Sequence, residues 1–225
     1  MAVQTNSSAH PLISPLKEED RSAWLRLLRS RRVGISTFYR LLEEHGTAQC
    51  ALEHLPEVAR AAGVDNYVPH SEEQAIAEMR RGHKTDAQLI FRGTPAYPAA
   101  FNDLNDAPPV FWAMGDTTLL RRPTHGLVGA RNASSLGTRM SRFLATRLGE
   151  EGYVICSGLA RGVDTAAHAA AIGTGKIAVL GGGVDVIYPA ENAQLTRQIR
   201  ENGLLISEQS MGTQPQARHS PCAIG

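Results

Sequence analysis

The sequence predicts an α/β protein, a doubly wound parallel sheet preceded by a small helical region. Three observations carry this. Beyond Arg122, four strand-like apolar runs alternate with three helix-like stretches, the order expected of parallel strands joined by crossover helices. Those runs are apolar throughout, as strands covered on both faces are. Before about residue 84 the apolar residues recur at helical spacing instead, with Gly34, Gly46 and Gly63 as breaks.

Composition sets the outer limits. The 225 residues carry a formal net charge of +1, with 42% hydrophobic and 20% charged residues, which excludes collagen-like and low-complexity disordered chains. The length allows one large or two small domains, each able to bury a core. A near-neutral balance gives no global basic field, so any nucleic-acid site must be a local patch. Cys50, Cys156 and Cys222 are far apart and form no CxxC pair, which argues against a zinc site or a disulfide framework and fits a reducing cytoplasm. No metal or cofactor motif is present. The N-terminal stretch lacks the apolar core of a signal peptide, and no apolar run has membrane-spanning length.

Residues 1–16 mix Ser, Asn, Thr and Pro, a composition expected to form a mobile arm. Residues 17–84 read as a bundle of short helices, with Trp24, Leu25, Leu27, Leu28 and then Phe38, Leu41, Leu42 as apolar stripes. A helix around Ser71 to Arg81 opens on Ser-Glu-Glu, a cap with acidic residues at the positive end of the dipole. From residue 85 the texture changes. Leu89–Phe91 and Val110–Trp112 are strand candidates on either side of a proline-rich bridge. The alternation then runs Gly126–Gly129, helix Ser135–Glu151, Tyr153–Cys156, helix Asp164–Ile172, Lys176–Leu180, helix Glu191–Glu201 and Leu204–Ser207.

Ligands of such sheets bind beyond the carboxyl ends of the strands, and the three turns there are glycine-rich. They are Gly129-Ala130-Arg131, Ser157-Gly158-Leu159-Ala160-Arg161-Gly162 and Gly181-Gly182-Gly183. Glycine admits close approach to the main chain, helix starts offer N–H groups to anions, and Arg131 and Arg161 would add guanidinium forks. This is chemistry suited to phosphate. The alternative, tight turns with solvated arginines, is weakened by finding three such turns on one rim. Neither GxGxxG nor a Walker A motif occurs. Asp164 and His168 lie four apart on one helix face, but read as a helix cap and a packed histidine rather than an acid–base pair. No nucleophile with a partnering base is found.

The run Ser157-Gly-Leu-Ala-Arg-Gly-Val-Asp164 with Ala167-His168, the run Ile177 to Pro189 followed by Glu191-Asn192, and Leu205-Ile-Ser-Glu208 resemble the DNA-processing protein A family, DprA or Smf. Order and spacing agree over about residues 90–219, including Tyr97-Pro98, Pro108-Pro109-Val110, Gly115-Asp116 and Gly129-Ala130-Arg131. Val33-Gly34-Ile35, Leu41-Leu42 and His45-Gly46 are similar to the helix-hairpin-helix or SAM-like domain that often precedes the family's core. The resemblance implies an incomplete Rossmann-like domain over residues 85–225 behind a helical domain over 17–84. It also implies a cytoplasmic, non-enzymatic protein that binds single-stranded DNA, forms homodimers and helps load the RecA recombinase during natural transformation. On the matching positions the expected DNA contacts are Gly129, Arg131, Ser157, Gly158, Arg161, Gly162 and Gly183. Tyr188 is open to stacking on a base or to packing the turn before Pro189, and the second reading is preferred.

After His219 the family typically continues with an arginine-bearing segment, whereas this chain reads Ser220-Pro-Cys-Ala-Ile-Gly225. The break reads as a truncation or frameshift that would leave a sheet edge and apolar helix faces uncovered. It also puts RecA loading and dimerisation in question, because the family's surfaces for both lie largely beyond it. Two other readings stand beside the leading one. One is a nucleotide phosphoribohydrolase of the lysine-decarboxylase-like class, although its PGGxGT loop is not matched here; the other is a nonfunctional fragment.

Overall fold

The structure is a computed structural model that describes residues 14–15 and 17–215. Of the arm expected over residues 1–16, Ser14 and Pro15 are described; Pro15 is buried, and its carbonyl accepts a hydrogen bond from Arg21 Nε at 3.3 Å. The remainder of the arm, Arg218, His219, Cys222 and the divergent residues from Ser220 onward lie outside the described residues.

Four helices come first: α1 (Glu18–Arg29), α2 (Ile35–His45), α3 (Ala48–Ala61) and α4 (Glu72–Lys84). Their ends follow local chemistry. Acidic Glu18, Glu19 and Asp20 open α1 and Arg26 and Arg29 close it, each against the opposite end of the dipole. Thr47 caps α3 by accepting from Cys50 N, and Ser71 forms a reciprocal capping box with Gln74 on α4. Trp24, Leu27, Phe38, Leu41, Leu52 and Leu55 make a core that also takes in Phe91 and Val110 of the following sheet. The helical layer therefore packs on the strands and shares their core.

The sheet has six strands: β1 (Gln88–Phe91), β2 (Val110–Gly115), β3 (Thr124–Gly126), β4 (Val154–Ser157), β5 (Lys176–Val179) and β6 (Leu204–Ser207). Their spatial order is β1-β2-β6-β5-β4-β3. β3 to β6 are mutually parallel, while β2 pairs antiparallel with both β1 and β6. The sheet is thus mixed, a parallel Rossmann-like half with an antiparallel hairpin added beside β6. The first parallel strand lies earlier than the Gly126–Gly129 expected. Its register fixes Thr124, His125 and Gly126 against Val154, Ile155 and Cys156. Val128, which its apolar character placed in the strand, is 80% exposed.

Helices α5 (Ser135–Glu150), α6 (Val163–Ala170) and α7 (Ala193–Asn202) connect the parallel strands. Side-chain alternation shows where they lie. Ile155, Ala178 and Leu205 pack with residues of these helices, whereas Val154, Ile177, Leu204 and Ile206 pack with Tyr97, Phe101 and Leu119. A doubly wound sheet carries crossover helices on both faces; among the described residues all three share one. The strand order explains this, because the crossovers from β3 to β6 step in a single direction and right-handed crossovers then fall on one side. The opposite face is covered by the segments on either side of β2, residues 92–109 and 116–122. Helix α5 presents Leu136, Met140, Phe143 and Leu144 to solvent, between 40% and 60% exposed, beside the outermost strand β3.

A buried ion pair ties the helical layer to the sheet. Arg29 of α1 forks onto Glu78 of α4, Nε to Oε2 at 3.1 Å and Nη2 to Oε1 at 2.9 Å. Its third donor reaches the Glu208 carbonyl beyond β6 at 2.9 Å, and Trp112 of β2 donates its indole N–H to Glu78 at 2.8 Å. Arg81 of α4 pairs with Asp185, whose other oxygen accepts from Gly212 N at 2.6 Å. Burial opposes the charge on Glu78, but the Arg29 fork and the Trp112 bond hold its pKa below the usual carboxylate range. Glu78→Gln, which leaves Arg29 facing a neutral amide, should cost roughly 3 kcal/mol in urea unfolding at neutral pH. The contribution is present above the ordinary glutamate pKa of about 4.3 and is lost as pH falls through the lower folded value. Acid titrations of stability should therefore lack this component in Glu78→Gln.

Candidate nucleic-acid interface

The parallel strands deliver three loops to one rim: residues 127–134 after β3, 158–162 after β4 and 180–189 after β5. The first two are joined by one main-chain bond, backed by one from a side chain. Val163 N donates to the Ala130 carbonyl at 3.3 Å, and Ser141 Oγ of α5 donates to the Val163 carbonyl at 2.8 Å. Gly162 caps α6 at φ +79°, and a Cβ there would fall on the Ala130 and Arg131 carbonyl oxygens. Gly129 in turn lies against the Val163 side chain, where a Cβ would come within 2.7 Å of Cγ2. Glycine at these two positions lets the loops that carry Arg131 and Arg161 touch.

The rim sorts the expected contact residues by exposure. Gly129, Arg131 and Arg161 are exposed, Gly158 and Gly162 are half-buried, and Ser157 and Gly183 are buried. The Ser157 hydroxyl, expected at a ligand, donates to the Leu127 carbonyl at 2.5 Å. The Gly183 amide donates to the Thr213 carbonyl at 2.9 Å, and its Cα packs close to Asp185 and the Gly212 amide. Both groups build the rim from beneath. Arg161 forms an ion pair with Glu191 in the 3-10 turn Ala190–Asn192, with both side chains about half exposed or more. The Glu191 backbone amide and Arg161 hold that carboxyl below its usual pKa range. Asn192 donates to the Leu159 carbonyl at 3.0 Å and to Thr165 Oγ1 at 2.8 Å, fixing the third loop to the second.

Asp164 and His168 lie below this surface. The cap of α6 is Gly162, and Asp164 instead folds its buried carboxylate back to accept from the Ala160 amide at 3.2 Å. Burial raises its pKa, against the pull of the Ala160, Gly158 and Gly129 amides. His168 has no exposed surface, and burial drives its pKa down to about 4. The packed reading of this pair holds, with a loop-holding aspartate in place of a helix cap. Sequence reasoning did not single out Glu191 and Asn192 as rim residues, because ion pairing between two loops has no signature in spacing along the chain. Among the described residues no His, Cys, Asp and Glu cluster could hold a metal ion, and no helix is long and apolar enough to cross a membrane.

Two outcomes follow for the rim. Gly162→Ala should destabilise the protein by more than about 1 kcal/mol in chemical unfolding, because a side chain is incompatible with both its φ and its neighbours. Stability should also decline as pH falls from about 6.5 toward the folded His168 value of about 4. Over that window the unfolded chain binds a proton that the buried imidazole does not. Urea titrations of His168→Leu at pH 7 and pH 5 should show that slope removed.

Residues 88–222 match the family model described as DNA recombination-mediator protein A, and residues 18–80 match a DprA-like N-terminal HHH domain. The DNA processing protein DprA of Bacillus subtilis is 40% identical over 128 residues, covering 56% of this chain and 43% of that protein. DprA of Streptococcus pneumoniae is 40% identical over 127 residues, covering 56% and 45%. The chain spans less than half the length of these relatives. The X-ray structure of S. pneumoniae DprA superposes with a TM-score of 0.69 at 29% identity, covering 88% of this chain and 71% of that one. The Helicobacter pylori DNA processing protein A, described for its single-stranded DNA binding mode, gives a TM-score of 0.54 at 30% identity over 59% of this chain and 60% of its own. A helical domain packed on a mixed sheet with three glycine-lined loops at one rim, together with a family match over more than half its length, makes this chain a member of the DNA recombination-mediator protein A family, DprA/Smf.

Proposed function

We propose that this chain is a non-catalytic single-stranded DNA-binding protein that grips the phosphate backbone along the rim of β3, β4 and β5. The observation that carries the reading is the pair of exposed guanidiniums, Arg131 and Arg161, on two loops locked together at the carboxyl ends of adjacent strands. Gly129 and Gly162 let those two loops pack directly on each other. Arg161 already holds a carboxylate, Glu191, in an exposed pair, and solvent-exposed pairs are weak. A DNA phosphate can replace that carboxylate, since both present an anionic oxygen to the same fork. Ser157 and Gly183 act by shaping the loops.

The wider role follows the family and the single-stranded DNA binding described for the H. pylori relative. It comprises protection of incoming single strands and assistance to RecA in transformation and recombination, in the cytoplasm, with self-association as a further property. The phosphoribohydrolase reading gains no support, because the PGGxGT loop it calls for is not matched at Gly181-Gly182-Gly183.

Anisotropy titration of a labelled oligo-dT across a salt series tests the proposal. Arg131→Ala and Arg161→Ala should each weaken binding and reduce the salt slope by about 0.7 per lost phosphate contact. Glu191→Gln, which releases Arg161, should tighten binding at low salt. Unchanged slopes in both arginine variants would remove the rim from the DNA site.

A further inference from the structure

Tyr188 is 59% exposed and its neighbour Ile187 is 45% exposed. A tyrosine that packed the turn before Pro189 would be covered, so the packing expected of it is not what holds it. The segment that carries it is nevertheless anchored at both ends. Upstream, Asp185 is held by Arg81 and the Gly212 amide, and Val186 N closes a turn onto the Gly183 carbonyl at 2.9 Å. Downstream, Glu191 pairs with Arg161, and Asn192 is bonded to Leu159 and Thr165. An aromatic face on a fixed loop, three residues before the Glu191 that pairs with Arg161, has the layout needed to hold a nucleotide by base and backbone together.

Resting on the single-strand reading above, we propose that Tyr188 is a base-stacking platform which selects unpaired nucleotides. Backbone contacts alone cannot make that choice, because duplex and single strand both offer phosphates. An unstacked base, by contrast, has a free π-face, and aromatic stacking against it is tolerant of sequence. The rim thus divides the work: Arg161 and Arg131 take the phosphates and Tyr188 takes a base.

The test compares labelled oligo-dT with an abasic strand carrying the same number of phosphates, using wild-type protein, Tyr188→Ala, Tyr188→Phe and Arg161→Ala. Tyr188→Ala should weaken oligo-dT binding about tenfold with an unchanged salt slope, while Tyr188→Phe, which keeps the ring, should bind as wild type. Wild-type protein should prefer oligo-dT over the abasic strand by a similar factor, and Tyr188→Ala should show no such preference. Tyr188→Ala matching wild type on oligo-dT while Arg161→Ala loses binding would overturn the stacking role and leave the phosphate reading intact. Equal losses of Tyr188→Ala on both strands would also overturn it. No binding of oligo-dT by wild-type protein would instead overturn the single-strand reading, and stacking with it.

Discussion

Parallel pairing of β3, β4, β5 and β6 is the constraint on which the rest of this molecule depends. Parallel neighbours cannot be joined by a tight turn, so each connection must cross back over the sheet. With the strands laid down in one direction, the three crossover helices stack side by side on one face. The same constraint puts the start of every connection at the carboxyl end of a strand. Loops separated widely in sequence become neighbours, and their glycines let the backbones meet with Val163 bonded to Ala130. The rim is a product of topology first and of residue chemistry second.

The rim then needs a rigid base, and most of its polar side chains serve that end. Asp164, Ser157 and Asn192 each satisfy a main-chain group in a neighbouring turn. The Arg29–Glu78 fork does for the two layers what these bonds do for the loops. Two charges taken from water are costly unless they are fully hydrogen-bonded, and here Trp112 and the Glu208 carbonyl complete the set. The Arg81–Asp185 pair continues this connection to the third loop, so the helical layer helps fix the segment that presents Tyr188. Above that scaffold Arg131 and Arg161 lie exposed, Arg161 in its surface pair with Glu191.

Much of the fold was legible in the sequence because periodicity reports burial directly. The helix stripes of Trp24–Leu28 and Phe38–Leu42 and the continuous apolar runs of β4, β5 and β6 each follow from a face that must be covered. The place of β3 was not, since at the edge of the sheet Val128 is apolar yet exposed. The antiparallel attachment of β2 to β6 was also hidden, because pairing between strands distant in sequence leaves no local signal. In the candidate site, glycine and arginine marked the loops that the topology brings to one rim. Ser157 and Gly183 show the limit of that reasoning: residue type announces a hydroxyl or an open backbone, but not that Leu127 or Thr213 already uses it. The Glu191 partner of Arg161 and the exposure of Tyr188 are likewise facts of packing.

The proposed function places single-stranded DNA along the rim of the parallel strands. Amide chemical-shift mapping of the isotopically labelled protein during titration with oligo-dT addresses that most directly. Perturbations should concentrate in residues 129–131, 158–163 and 187–191, with the helical layer of residues 18–84 largely silent. Perturbations centred on the helical layer, or none at saturating oligonucleotide, would contradict it.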